Sequence, residues 1–265
     1  MRDPYLYDDC PVLKNKLDIK DEELLENAEV DYSSAAIKDM LNNPIGGNYD
    51  FSHLCAVHKQ IFNEIYEWAG VPRTIPIEKG EATLGYMSIN YDKPEDIEKA
   101  ANAVLDKMKS VQWDRLSLDE QAKELTGNLA ALWKVHPFRE GNTRTTVTFV
   151  CQFAESQGMF IDRTLFARHA AYTRSALVAA SAVFPDNDFR KPEFLFKIVK
   201  DSLEQGVKER NIEVLKDKLD GKALPEDHEQ LKKPSLRERL EAAKGVASKR
   251  ENQRPTQAKN KDIEI

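Results

Sequence analysis

The sequence predicts an all-α fold with one small β-hairpin and a charged, partly disordered C-terminal tail, and three observations carry this reading. The first two hundred residues divide into stretches with apolar residues at helical spacing, set off by capping residues, prolines and glycines. One stretch, Val71–Ile89, instead places β-formers among Pro72, Pro76, Gly80 and Gly85. Beyond about Gln205 the chain turns charge-dense and almost free of aromatics, a composition that cannot bury a core. The expected organisation is therefore a globular domain over residues 1–206 and a charged extension over 207–265, partly helical or disordered.

Taken in order, Asp21–Leu41 puts Leu24, Leu25, Ala28, Ala35 and Leu41 near one helical face, and "NNPIGGN" stops it. Phe51–Gly70 lines up Leu54, His58, Phe62, Ile65 and Tyr66, with Gly70 as the terminator. Val71–Ile89 reads as a two-stranded hairpin turning near Lys79–Glu81, its prolines suited to edge strands only. Asp92–Trp113 opens with a proline and acids, as a helix N-terminus should. Leu116–Val135 carries Ser117 three residues before Glu120, a capping-box pattern. Arg163–Phe184 and Arg190–Gln205 give two further amphipathic helices. In the tail, Leu236, Leu240 and Ala243 fit a short amphipathic helix.

Composition narrows the function. Of the 265 residues 41% are hydrophobic and 32% charged, as in a well-solvated globular protein. No apolar run approaches the ~20 residues that span a bilayer, and the N-terminus lacks an apolar signal core, so the expectation is a cytoplasmic protein with no membrane partner. A formal net charge of −6 argues against general nucleic-acid binding. Cys10, Cys55 and Cys151 are widely spaced and fit three reduced thiols.

The chemistry concentrates in "VHPFREGNTRTTVTF", Val135–Phe149. His136 has the one side chain there able to accept a proton near neutrality, so it is the candidate base. Glu140 is a hard oxygen ligand suited to Mg²⁺. Gly141 and Asn142 let the backbone turn with its N–H groups inward, the geometry of an anion nest. A helix beginning near Thr143 would add the partial positive charge of its N-terminus. Arg144 offers a fork of donors for a terminal phosphate. Singly, each is an ordinary turn, core or solvated residue. Together they read as phosphate-ester chemistry on a nucleotide. "TRTTVTFV" is β-branched and by propensity alone a strand, whereas the anion site needs a helix.

The stretch resembles the signature of the Fic family, H-x-F-x-[D/E]-G-N-x-R, and the likeness extends over about Arg2–Leu203, including "RDPYLYDDCPVLKNKLDI" and "LCAVHKQIFNEIYEWAGVPRTIPIEKG". The resemblance implies a helical core whose loop lies between two helices, with the hairpin as a flap. It implies transfer of AMP from ATP, with Mg²⁺, to a Ser, Thr or Tyr hydroxyl of a target protein docked along the flap. His136 would then be the base, Phe138 the loop's anchor and Glu140 the metal ligand. Gly141, Asn142 and Thr143 would supply backbone donors, and Arg144 would grip the far phosphates.

Toxin-like or effector-like bacterial enzymes belong to this family, so delivery into a host cell is an alternative setting. Transfer of UMP, phosphocholine or phosphate, or nucleotide binding without turnover, are alternative activities. Two positions depart from the pattern. Thr143 stands where glycine is common, which predicts ordinary helix-start backbone there. Val147 replaces a frequent second arginine, the usual partner of an inhibitory glutamate. That glutamate's motif, [S/T]-x-x-x-E-[G/N], has no match, which leaves Glu209, Glu213 or a small antitoxin-like partner as its source. Arg73 and Lys79 flank the flap, where solvated charge is the first expectation. Tyr172 and Arg174 lie on a helix able to border a nucleotide pocket.

Overall fold

The computed structural model describes residues 3–184 and 186–219. The chain divides into two units at Glu209 and Arg210, and the candidate site lies in the first. The short helix anticipated around Leu236, Leu240 and Ala243 lies outside the described residues.

Eight α-helices appear among the described residues. α1 spans Glu22–Asn42 and starts at Asp21, whose carboxylate accepts from the Leu24 N–H at 2.9 Å. α2 spans Phe51–Phe62 and is capped in the same way by Asp50, which accepts from His53 N at 2.8 Å. α3 covers Ile97–Ser110 after a 3-10 turn entered at Pro94. α4 covers Leu118–Val135 and carries the expected capping box of Ser117 with Glu120. α5 is Asn142–Ser156, α6 Thr164–Arg168, α7 Ala170–Ala180 and α8 Glu193–Leu219. Helix α2 packs on α1 and α5, while α4 packs on α3 and α5. Their shared core holds Phe62, Tyr66, Trp113, Trp133, Phe138, Phe149 and Phe153 out of solvent.

Four local expectations need correction. In α1 the inward face is Leu25, Glu29, Ser33 and Met40, while Leu24 and Leu41 face solvent. That face is half polar because it borders the cleft described below. α2 ends at Phe62, eight residues before Gly70; Ile65 and Tyr66 are nevertheless buried as expected. The single helix expected over Arg163–Phe184 is two, because His169 departs from helical backbone (φ −118°, ψ 42°) between α6 and α7.

The fourth correction concerns the hairpin. Val71–Ile89 reverses direction but forms no strand pair. Pro72 and Pro76 bring no N–H to a ladder, and a 3-10 turn at Ala82–Leu84 with left-handed Gly85 and Tyr86 occupies the tip. Buried Arg73 takes carbonyls that a strand would share, those of Ile75 and Asp92. The small hairpin of this fold lies elsewhere, where β1 (Val183–Phe184) pairs antiparallel with β2 (Asn187–Asp188).

Candidate active site

The β-branched run Thr143–Val150 is helical, so packing overrides propensity. Thr145, Thr146, Phe149 and Val150 are buried, and Thr143 Oγ1 accepts from the Trp133 indole N–H at 2.9 Å. Thr143 sits in the first turn with helical backbone, as expected. Gly141 carries the left-handed conformation instead (φ 79°) as the N-cap of α5. A Cβ there would meet Phe62 Cε2 at 2.2 Å, so the position requires glycine on two counts.

The loop between α4 and α5 is tied across its neck. Asn142 Oδ1 accepts from Phe138 N at 2.9 Å, and Asn142 Nδ2 donates to Phe138 O at 2.7 Å. Phe138 is fully buried and stacks on His58 with centroids 3.8 Å apart. Together these bonds fix the start of α5, whose first-turn residues Thr143 and Arg144 border a cleft of about 760 Å³. Glu140, Gly141, Thr143 and Arg144 line that cleft, opposite Glu29 and Ser33 of α1. Open N–H groups at a helix N-terminus favour an anion.

Arg144 reaches across the cleft. Its Nη2 lies 2.5 Å from Glu29 Oε2, Nη1 donates to Ser33 Oγ at 3.0 Å, and the guanidinium lies over the Phe62 ring at 4.7 Å. Glu29 also accepts from the buried Tyr66 hydroxyl. The carboxylate that holds Arg144 therefore comes from α1. Glu209 and Glu213, weighed from sequence for such a role, are held on α8 by Gln205 and Arg210.

Glu140 Oε2 lies 2.7 Å from Lys79 Nζ, and Oε1 accepts from Gly141 N at 2.9 Å. Burial alone would raise this carboxyl, but Lys79 and the Gly141 N–H outweigh it and hold it down at about 2. Among the described residues no cluster of three or more His, Cys, Asp and Glu gathers for a metal. Glu140 is a lone carboxylate beside the N-terminus of α5. That suits Mg²⁺, which takes one or two carboxylates and fills its octahedron with phosphate oxygens and water.

His136 closes α4 in the left-handed region (φ 50°, ψ 58°) and is 1% exposed. Its Nδ1 lies 3.3 Å from the Trp133 carbonyl, which can only accept, so Nδ1 carries the proton and Nε2 the lone pair. Nε2 is buried and makes no hydrogen bond. Burial first, and the Lys79 charge second, push the imidazole well below its usual range, so it is neutral at pH 7. Tyr91 stacks on the ring at 3.9 Å and Trp133 meets it edge-on. Arg73, expected to be solvated, is 2% exposed and donates Nε to the His136 carbonyl at 2.9 Å.

Glu29, Ser33, Glu81 and Tyr91 were not singled out from sequence. Only the first two left a trace, as polar residues spaced by four on the apolar stripe begun by Leu25. Cys55 and Cys151 add no nucleophile, since burial pushes both thiols up to about 12.

A helical core that presents a neutral histidine and a glycine-capped helix N-terminus in one loop defines the class of protein. The model of the Fic/DOC family matches residues 48–154. The protein adenylyltransferase VbhT of Bartonella schoenbuchensis is 32% identical over 161 residues, covering 60% of this chain and 32% of that protein. The probable protein adenylyltransferase y4lH of Sinorhizobium fredii is 32% identical over 168 residues, covering 62% of this chain and 81% of that protein. The chain thus spans about a third of the first relative's length and most of the second's. In fold it resembles the N-terminal FIC domain of the effector Bep8 from Bartonella sp. 1-1C, with a TM-score of 0.62 at 21% identity over 75% of this chain and 94% of that one. An ADP-bound Fic domain from Bartonella quintana gives 0.62 at 22% identity, over 75% and 93%. The chain belongs to the Fic/DOC family.

Proposed function

We propose that this protein is an adenylyltransferase, moving AMP from Mg-ATP to a Ser, Thr or Tyr hydroxyl of a target protein with release of pyrophosphate. One observation carries this reading: a neutral His136 with a free Nε2 lone pair, set at the end of the loop that opens into the N-terminus of α5. In the mechanism, Nε2 accepts the proton of the attacking hydroxyl. The new P–O bond forms at the α-phosphorus while the bond to the bridging oxygen breaks, so the electron pair leaves with pyrophosphate. The first-turn N–H groups of α5 and the Arg144 guanidinium hold the phosphate oxygens and offset their charge. Glu140 would hold Mg²⁺, which supplies neutralisation of the pyrophosphate as it departs. The names of the relatives and the ADP-bound neighbour support the choice of an adenine nucleotide.

The target would lie along the segment 79–88. Tyr86 and Met87 are exposed there, and main-chain contact reads backbone rather than sequence. Three free thiols fit a reducing, cytoplasmic setting, while the solved relatives described as VirB-translocated effectors support delivery into a host. Among the described residues no helix is long and apolar enough to cross a membrane. A small antitoxin-like partner remains part of the proposal as a source of further restraint.

A second reading is a module that binds nucleotide without turning it over. Arg144 is already engaged by Glu29, and Val147 supplies no second charge beside it. Both readings are tested by incubating the protein with Mg²⁺, α-labelled ATP and bacterial lysate, beside His136→Ala. Label on protein bands that the variant abolishes supports transfer. Tight ATP binding without label supports the binding module, and no binding sinks both.

A further inference from the structure

Three arginines border the cleft, and they differ in what holds them. Arg139 is paired with Asp3 at 2.8 Å, and Arg144 is paired with Glu29 at 2.5 Å. Arg174 comes from α7, and its Nη2 lies 2.7 Å from Glu81 Oε1 on the segment 79–91. The same Glu81 oxygen accepts from the Tyr91 hydroxyl at 3.3 Å, and Tyr91 is the ring that covers His136. Two residues before Glu81, Lys79 sits on Glu140. The segment is therefore held over the site by two ion pairs of opposite polarity, Lys79 to Glu140 and Glu81 to Arg174.

The tip of the segment is tied largely to itself, while Ile89 near its end is buried in the core. The bonds within the tip run from Glu81 N to Met87 O at 3.1 Å, Tyr86 N to Glu81 O at 2.9 Å and Lys79 N to Ser88 Oγ at 3.0 Å. The tip residue Tyr86 is 79% exposed. A metal–triphosphate brings a cation and several anionic oxygens into the same cleft. The cation competes with Lys79 for Glu140, and a phosphate oxygen competes with Glu81 for Arg174. Arg144 and Arg139 already have carboxylate partners, on α1 and near the N-terminus respectively. Arg174 is the cation whose partner can leave with the segment.

We propose that Arg174 is a nucleotide-binding residue held in reserve by Glu81, and that its transfer from Glu81 to a nucleotide phosphate releases Tyr91 from His136. This rests on the cleft being a nucleotide site. Loading the nucleotide then uncovers the base at the moment a target hydroxyl is needed, and leaves His136 shielded from water otherwise.

The test is equilibrium binding of a non-hydrolysable ATP analogue with Mg²⁺ to the full chain and to Glu81→Gln, Arg174→Gln and Arg174→Lys. Hydrogen exchange over Gly80–Tyr91 and thermal melts of each variant accompany it. Glu81→Gln should bind about fivefold tighter, because Arg174 is free in advance. Arg174→Gln should bind about tenfold weaker and Arg174→Lys in between, as expected for a charged phosphate contact. Exchange of the segment should rise when the intact protein binds the analogue, and should already be high in nucleotide-free Glu81→Gln. If Glu81→Gln and Arg174→Gln shift affinity in the same direction, or neither shifts it, the pair is only a strut and the proposal falls. If affinities move in opposite directions but exchange does not rise with nucleotide, the link to Tyr91 and His136 falls. If the intact protein binds no nucleotide, the nucleotide reading itself fails, which is a separate outcome.

Discussion

Lys79 Nζ lies 2.7 Å from Glu140 Oε2, so an ammonium from the segment above the site holds the carboxylate that the proposed function assigns to Mg²⁺. Both side chains are only partly exposed, which spares the pair much of the screening a surface pair suffers. On the proposed function, a metal entering with nucleotide would have to displace this lysine, which would raise the concentration needed.

Lys79→Met tests that competition. The Mg²⁺ concentration for half-maximal ATP binding should fall by about threefold to tenfold, because a charge-assisted hydrogen bond no longer competes. Without Lys79, burial is less opposed, and the Glu140 carboxyl should titrate above its present value of about 2. A Mg²⁺ titration monitored by ATP binding at fixed pH reads the first effect. An unchanged or higher requirement would show that Lys79 assists metal binding.

Gly141→Ala should destabilise the fold by roughly 2–5 kcal/mol. About 1–2 kcal/mol comes from the positive φ, and about 1–3 kcal/mol from moving the buried Phe62 ring out of the way of the new methyl. Gly158→Ala separates the two contributions, since Gly158 has the same φ of 79° and open space around its missing Cβ. Urea denaturation of both variants should show the Gly158 change costing only the backbone share. Equal losses would mean that Phe62 does not constrain the loop.

Much of this site is legible in sequence because its chemistry is contiguous from His136 to Arg144, and one short loop between two helices can present all of it. Ser117 and Glu120 are legible for the same reason, since a capping box is local. The segment Val71–Ile89 is not. Its β-formers match strand propensity, but Arg73 takes the carbonyls and the prolines bring no N–H groups. Nor does any glycine or proline mark the break between α6 and α7 at His169. Glu29 lies 115 positions from Arg144 and Glu81 lies 93 from Arg174, so those pairings exist only once the helices have packed.

Glu29 makes Arg144 a second controlled charge. Glu29→Gln keeps the shape and the Tyr66 hydrogen bond but removes the carboxylate that occupies the guanidinium. ATP affinity should rise by about threefold to tenfold, with a modest loss of stability from weakening a largely buried pair. Binding isotherms on the two proteins check this. A drop in affinity with an intact melt would instead assign Glu29 to aiming Arg144 at the phosphates.

His58 sets an acid limit on the fold. Its Nδ1 accepts from Gly70 N at 2.8 Å and its Nε2–H donates to the Glu140 carbonyl at 3.1 Å, so both nitrogens are committed to the neutral ring. Protonation would set an N–H against the Gly70 N–H in a dry site, and burial pushes the group down to about 3. Between the usual value of 6.5 and that level, the unfolded chain binds a proton that the folded chain refuses. The His58 contribution is therefore fully present above pH 6.5 and is lost as pH falls toward 3, at about 1.4 kcal/mol per pH unit. His53 and His136 are lowered in the same direction, and Glu140 adds its own loss only between 4.5 and about 2. Urea unfolding at steps from pH 7 to 5 isolates the histidines from the carboxylate. His58→Gln should cost stability at pH 7 yet flatten the slope by about one proton, and a slope unchanged by the substitution would mean that His58 is protonated in the native protein.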